Sequence, residues 1–312
     1  MTKIAIIQRP PVLLDRGATI TRAVQWVAEA AAAGASLIVF PESFIPGYPS
    51  WIWRLAAGRD GAVMGQLHAR LLANAVDVSG GDLAELCEAA RAHNVTIVCG
   101  INERDRERGG GTLYNTVVTI GADGRVQNRH RKLMPTNPER MVHGLGDASG
   151  LRVVDTPAGR IGCLICWENY MPLARYMRST PRAWRSTSRP PTTAGTPGSA
   201  RCAISRSKVG AGWSVAARRC VPVTFRRTSR PAQSCSPIPR NGSTTAIRWL
   251  SIPWGRSSSG PLRREAGILY AEIDTARVAP SRRTLDVTGH YARPDIFELQ
   301  VRRAPATPVL LR

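Results

Sequence analysis

From Asn169 to Arg264 the 312-residue chain contains no Asp or Glu. Folded surfaces normally mix both signs of charge, so this gap excludes an ordinary solvated domain face over that stretch. Within it, Ser179 to Gly260 is dominated by Arg, Ser, Pro, Thr and Ala and carries fourteen of the Lys and Arg residues. The formal net charge of +21 falls to +7 once that segment is set aside, so the basicity belongs to one stretch. The stretch also lacks repeated RGG or basic-aromatic units, which argues against a nucleic-acid partner. No run approaches the ~18–20 consecutive apolar residues of a membrane span. The start, Lys3-Ile4-Ala5-Ile6-Ile7, enters a strand pattern without a leader. A cytoplasmic protein with no membrane partner is expected. Seven cysteines at irregular spacing exclude a disulfide framework. Cys163 and Cys166 form a lone C-x-x-C with no second pair and no histidine at finger spacing, so neither zinc nor another metal is expected.

What is present is an alternation of strand and helix patterns. Lys3–Gln8 reads as a buried strand, Ala18–Ala33 as an Ala-rich helix stopped by Gly34, and Ser36–Pro41 as the next strand, a β-α-β unit. A second helix is read near Asp82–His93, stopped at Asn94, then a strand at Thr96–Gly100. Leu113–Ile120 and Arg125–His130 flank Ala122-Asp123-Gly124 as a hairpin. Strands follow at Leu151–Asp155 and Arg160–Cys166, with a helix beginning near Met171. After Met177 no periodic pattern persists until Pro261; then Gly267–Asp274 reads as a strand and Thr275–Arg283 as a helix. The class is α/β, in one domain.

Three short segments end strands and present reactive side chains. Glu42, directly after an apolar strand in Phe40-Pro41-Glu42-Ser43-Phe44, is placed where burial raises a carboxyl toward the range of a general base; alone, it reads as an exposed loop residue. Lys132, in His130-Arg131-Lys132-Leu133-Met134-Pro135-Thr136, alone reads as a solvated charge. Cys166, in Gly162-Cys163-Leu164-Ile165-Cys166-Trp167-Glu168-Asn169, falls where a strand meets a helix start, where amides stabilise a thiolate; alone, it reads as an inert core cysteine.

Glu, Lys and Cys in this order and context resemble the nitrilase superfamily. The words Pro41-Glu42-Ser43-Phe44-Ile45-Pro46-Gly47-Tyr48-Pro49 and Cys166-Trp167-Glu168-Asn169-Tyr170-Met171-Pro172 are similar to its nitrilase branch, and the likeness extends to Gly260–Glu265 and Gly289–Asp295. The resemblance implies a four-layer α-β-β-α sandwich over residues 1–300 followed by a tail at 301–312. It implies assembly into dimers or spiral homo-oligomers, and hydrolysis of a nitrile to an acid and ammonia without a cofactor. It assigns Cys166 as nucleophile, Glu42 as proton carrier, and Lys132 with the Trp167 backbone N–H as stabilisers of developing negative charge. Glu139, in Pro135-Thr136-Asn137-Pro138-Glu139-Arg140, fits a second carboxylate orienting Lys132 or water; a surface ion pair is its other reading. Tyr48 and Trp51 are candidate pocket residues beside Trp53, and the two tryptophans read as readily as core or interface. Amide or cyanide hydrolysis on the same residues, and an inactive scaffold carrying a basic nucleic-acid-binding segment, are the alternatives.

The family's strands after the Cys motif are not legible here. Codons for Arg201–Val209, read one base earlier, can spell Met-Arg-His-Leu-Ala-Ile-Glu-Gly, and compatible text arises in the same frame from Arg189–Ser199 and after Asn241. A double frameshift bounding about 179–260 is therefore expected, with the C-terminal half disrupted and little turnover from the literal chain.

Overall fold

The computed structural model describes residues 2–106, 109–174, 202–207, 212–217, 266–274 and 288–304, together with positions 283 and 286. β1 (Thr2–Gln8), α1 (Arg16–Ala32) and β2 (Leu37–Val39) form the first crossover, and β2 continues through α2 (Gly61–Ala73) and α3 (Ala84–Ala92) to β3 (Thr96–Arg104). β4 (Leu113–Ile120), β5 (Val126–Arg131), β6 (Val153–Thr156) and β7 (Gly159–Gly162) follow, then β8 (Cys202–Ser207), β9 (Gly212–Ala217) and β10 (Gly267–Ile273).

α1 starts because the Asp15 carboxylate accepts from the Ala18 N–H at 2.9 Å. It buries Ile20, Ala23, Val27 and Ala30, one stripe at helical spacing. Gly34 ends it at φ 83°, a left-handed conformation that costs glycine nothing. Asn94 performs the same turn after α3 at φ 51°.

The main sheet has the order β10-β1-β2-β3-β4-β5. β1, β2 and β3 are parallel, as the crossovers require, and β4, β5 and β10 pair antiparallel. Strand alternation divides the core. Ala5, Ile7, Ile38, Ile97 and Val118 pack with Ile20, Val27, Leu86 and Ala90 of α1 and α3. Ile4, Ile6, Leu37, Val39, Val98 and Val117 face the other way, onto Ala158, Ile161, Cys163, Ile165 and Cys166 beside the β6–β7 pair. The Cys166 segment thus rests on the sheet face opposite the helices.

Several elements differ from the sequence reading. β2 is only three residues long because Pro41 has no N–H to offer the ladder, although the Phe40 N–H still reaches Val98 O at 2.8 Å. α2 is not read from the sequence; Leu71 is its only fully buried side chain, with Leu67 and Leu72 half-buried beside it. A tight 3-10 turn at Cys166–Tyr170 precedes the short helical stretch 172–174, where a helix from Met171 is expected. The segment read as patternless contains the antiparallel pair β8–β9, with Cys202 opposite Ala217 and Ser207 opposite Gly212. Trp213-Ser214-Val215 alternates, but over too few residues to register as a strand pattern. The rest of 179–260 and the expected helix at 275–282 lie outside the described residues.

Candidate active site

The Glu42 loop is laced to β3. Gly100 N–H reaches Pro41 O at 3.1 Å, Ile45 N–H reaches Gly100 O at 3.2 Å, and Asn102 N–H reaches Ile45 O at 2.7 Å. The approach requires glycine at 100, since a Cβ there would lie 2.2 Å from Pro41 O and 2.5 Å from Glu42 Cα. The Asn102 side-chain amide donates to Gly47 O at 2.9 Å and more weakly to Ile45 O and Ser43 O. Its oxygen faces His143 Nε2 at 2.9 Å, which makes Nε2 the protonated nitrogen of that ring. Lys132 follows β5 and is held by its N–H on Asn115 O and its carbonyl under the Gly146 N–H, both at 2.8 Å. Asn115 serves both partners, because its side chain donates to Glu42 Oε1 at 2.6 Å.

Glu139 sits in a 3-10 turn, Asn137–Met141, opened by a capping box in which the Thr136 N–H donates to Glu139 Oε2 at 2.8 Å. Lys132 Nζ lies 2.6 Å from Glu139 Oε2 and 3.2 Å from Glu42 Oε1, with all three side chains buried. Tyr48 Oη is 2.7 Å from Glu139 Oε1. Cys166 is buried beside this group with φ 56°, and Ser43 and Asn137 are also left-handed, at 49° and 46°. Non-glycine residues in that region carry strain of about 1–3 kcal/mol each and gather where a side chain must be aimed.

These surroundings separate the acidities. Burial pushes the Glu42 carboxyl above the ordinary carboxylate range, with Lys132 pulling against it and Glu139 adding to the rise. Burial opposes ionisation of Glu139 too, but Lys132, Tyr48 and the Thr136 N–H outweigh it and hold that carboxyl below its usual value. Burial alone would discharge Lys132; Glu42 and Glu139 keep it charged. Burial, then Glu42, push the Cys166 thiol up to about 11, against the pull of Lys132 and of the Trp167 N–H. The free site therefore holds a thiol, and the thiolate expected from helix-terminal amides is helped by one amide only. Glu42 Oε2 is buried with no hydrogen-bond partner among the described residues, which leaves it as the oxygen able to take a proton.

Glu168, two residues past Cys166, joins the two halves of the site. Its carboxylate accepts from Ile165 N at 2.7 Å, from Leu133 N at 2.6 Å and from His130 Nε2 at 3.0 Å, gripping the chain on both sides of Lys132. Burial works against its charge, but His130 and these amides hold its carboxyl below the usual carboxylate range and keep it ionised. Sequence reasoning overlooked Glu168, His130, Asn115, Asn102 and His143 as site supports. The Thr136-x-x-Glu139 spacing was a readable capping signal. Among the pocket candidates Tyr48 reaches Glu139, while Trp51 is buried among Leu14, Ile52, Leu71, Leu113 and Val142. Cys163 is buried near Thr119.

Chains similar in sequence and in fold occur among known proteins. The aliphatic nitrilase of Sinorhizobium fredii is 36% identical over 331 residues, covering 100% of both chains. An aliphatic nitrilase of Rhodococcus rhodochrous is 35% identical over 324 residues, 98% of this chain and 84% of that one. The crystal structure of Saccharomyces cerevisiae Nit3, of the nitrilase superfamily, superposes with a TM-score of 0.59 at 16% identity, over 93% of this chain and 96% of that one, a likeness of fold. Residues 3–184 match the carbon-nitrogen hydrolase model. The chain belongs to the carbon-nitrogen hydrolase family.

Proposed function

We propose that the protein is a nitrilase that converts R–C≡N to R–COOH and ammonia through covalent intermediates on Cys166. The observation that carries this reading is the meeting of Cys166, Lys132 and two carboxyl groups of opposed acidity in a chain similar throughout its length to named nitrilases. A nitrile carbon is a weak electrophile and calls for a soft nucleophile. Glu42 takes the Cys166 proton as sulfur attacks carbon, and charge gathering on nitrogen is met by Lys132 and the Trp167 N–H. The proton passes from Glu42 to that nitrogen, giving a thioimidate. Water deprotonated by Glu42 adds to its carbon, and the C–N bond breaks with ammonia leaving protonated. A second water, activated in the same way, cleaves the thioester and restores the thiol. Glu139 remains an anion throughout and orients Lys132. The reading takes no cofactor, nucleic acid or membrane partner and places the enzyme in the cytoplasm as a homo-oligomer; exposed Tyr170 and Leu173 suit a self-association surface.

The test is ammonia release from aliphatic and aromatic nitriles, the matching amides and cyanide, with the Cys166 adduct followed by mass. Nitrile turnover with an adduct on Cys166 supports the reading; turnover of amides alone would replace it with an amidase.

We also infer that 179–260 is text from a shifted frame. The family model's match ends at Trp184, close to where the acidic residues cease, although the curated relatives align across nearly the whole chain. Sequencing the coding DNA across codons 178–260 tests this: an indel near each end supports it, and uninterrupted agreement with the chain as written removes it.

A further inference from the structure

Trp53 is 44% exposed, and its indole N–H, a donor only, points at Tyr48 Oη from 2.9 Å. With the phenol oxygen accepting there, its own hydrogen is directed to Glu139 Oε1 at 2.7 Å. The other carboxylate oxygen accepts from Lys132 Nζ at 2.6 Å and from the Thr136 N–H at 2.8 Å. Lys132 then continues to Glu42 Oε1 at 3.2 Å. The donors converge on Glu139, from the half-exposed indole through the phenol on one oxygen and from Lys132 and the Thr136 N–H on the other, and Lys132 donates separately to Glu42. Oε2, with two donors, cannot gain a proton without giving one up, and Oε1 is engaged by the Tyr48 hydroxyl.

We propose that Tyr48 is a positioning residue whose hydroxyl, oriented by Trp53, holds Glu139 as a permanent anion and thereby sets Lys132 between the two carboxylates. This rests on the role of Glu139 in the proposed reaction and gives Tyr48 a task other than lining a pocket. The groups that bear on Glu139 are Lys132, Glu42, Cys166 and His143, with Tyr48 and the Thr136 N–H as its remaining polar partners. Of these, Tyr48 favours the ionised form without being charged itself.

The test uses the full-length chain in the frame its coding DNA establishes. Tyr48→Phe keeps the ring and removes the hydroxyl, so Glu139 protonates at higher pH. In the acid limb of log kcat/KM for nitrile hydrolysis Glu42, the weaker acid, titrates first, and the break to a slope of two at lower pH, where Glu139 protonates, then moves up by roughly one pH unit while the alkaline limb stays. Trp53→Phe, at a half-exposed position, moves the break the same way by less and carries the test if Tyr48→Phe does not fold. A drop in rate that is equal at every pH, with the break unmoved, overturns the proposal. Carbamidomethylation of Cys166 by iodoacetamide, followed by peptide mass across pH, reads the same titration without nitrile. An inflection that moves up in a chain releasing no ammonia removes the nitrile reading and leaves the role of Tyr48 standing; an inflection that stays put removes that role even in an active nitrilase.

Discussion

Glu42 and Glu139 share one ammonium, and the division of labour between them follows from what else touches each. Glu139 accepts from three groups besides any second contact of Lys132, whereas Glu42 keeps a buried oxygen without a partner among the described residues. A pair pushed apart in this way assigns the proton carrier to the weaker acid, Glu42. Because its charge also raises the Cys166 thiol, Glu42→Gln separates two quantities that usually move together. Nitrile turnover falls by about 10²–10⁴-fold, since no base remains. Alkylation of Cys166 by iodoacetamide at pH 8 instead becomes faster, because the thiolate is easier to form. Both rates falling together would mean that Glu42 acts mainly by holding Lys132. The three reacting residues were legible because each stands in a long motif that resembles a family. Asn115 and His143 were not, because a single polar residue in a strand or loop gives no sign of the partner it meets.

At the scale of elements, the reactive loops are carried by rigid neighbours, and β3 does most of the carrying. Gly100→Ala places a methyl group against backbone atoms of Pro41, Glu42 and Ser43, none of which is the end of a flexible side chain. The expected result is a loss of about 1–3 kcal/mol in urea unfolding together with loss of turnover, as the Glu42 loop lifts from the strand. The His143–Asn102 pair that ties this loop to the Glu139 turn also gives the fold an acid limit. Burial holds the His143 imidazole neutral down to about 4, with Lys132 and His68 acting in the same direction and Glu139 against it. Its value in the unfolded chain is near 6.5, so between these pH values the unfolded state binds a proton that the native state refuses. Stability therefore falls as pH drops from 6.5 to 4, by on the order of 3 kcal/mol from this group, and is unaffected by it above 6.5. His143→Gln, which can still donate to Asn102, should flatten that part of a denaturant-midpoint profile. β1, α1, α3 and β4 were readable because period and stop signals agree at Gly34, Asn94 and Gly124. α2 was not, because its inward stripe of Met64, Leu67, His68 and Leu71 is interrupted by a polar residue and only Leu71 is fully buried.

Across the whole molecule, the sheet is closed by residues that are far apart in the chain. β10 lies antiparallel along all of β1, from Thr2 opposite Ile273 to Gln8 opposite Gly267. It also brings Leu269 and Ala271 to the face that carries the nucleophile segment. A chain ending at Gly260 would leave β1 an open apolar edge, so its expression should yield aggregated protein, measured as the soluble fraction against the full-length chain. A shift of frame in the middle of the gene, if reversed before Gly267, spares this closure, and a single uncorrected one does not. The same pairing sets the order of assembly during synthesis. The outer partner of β1 is made about 260 residues after it, roughly 15–50 s later at ~5–20 residues per second. Throughout that interval the β1 edge lacks its outer partner, so the soluble yield should rise when nascent-chain chaperones are supplied during synthesis.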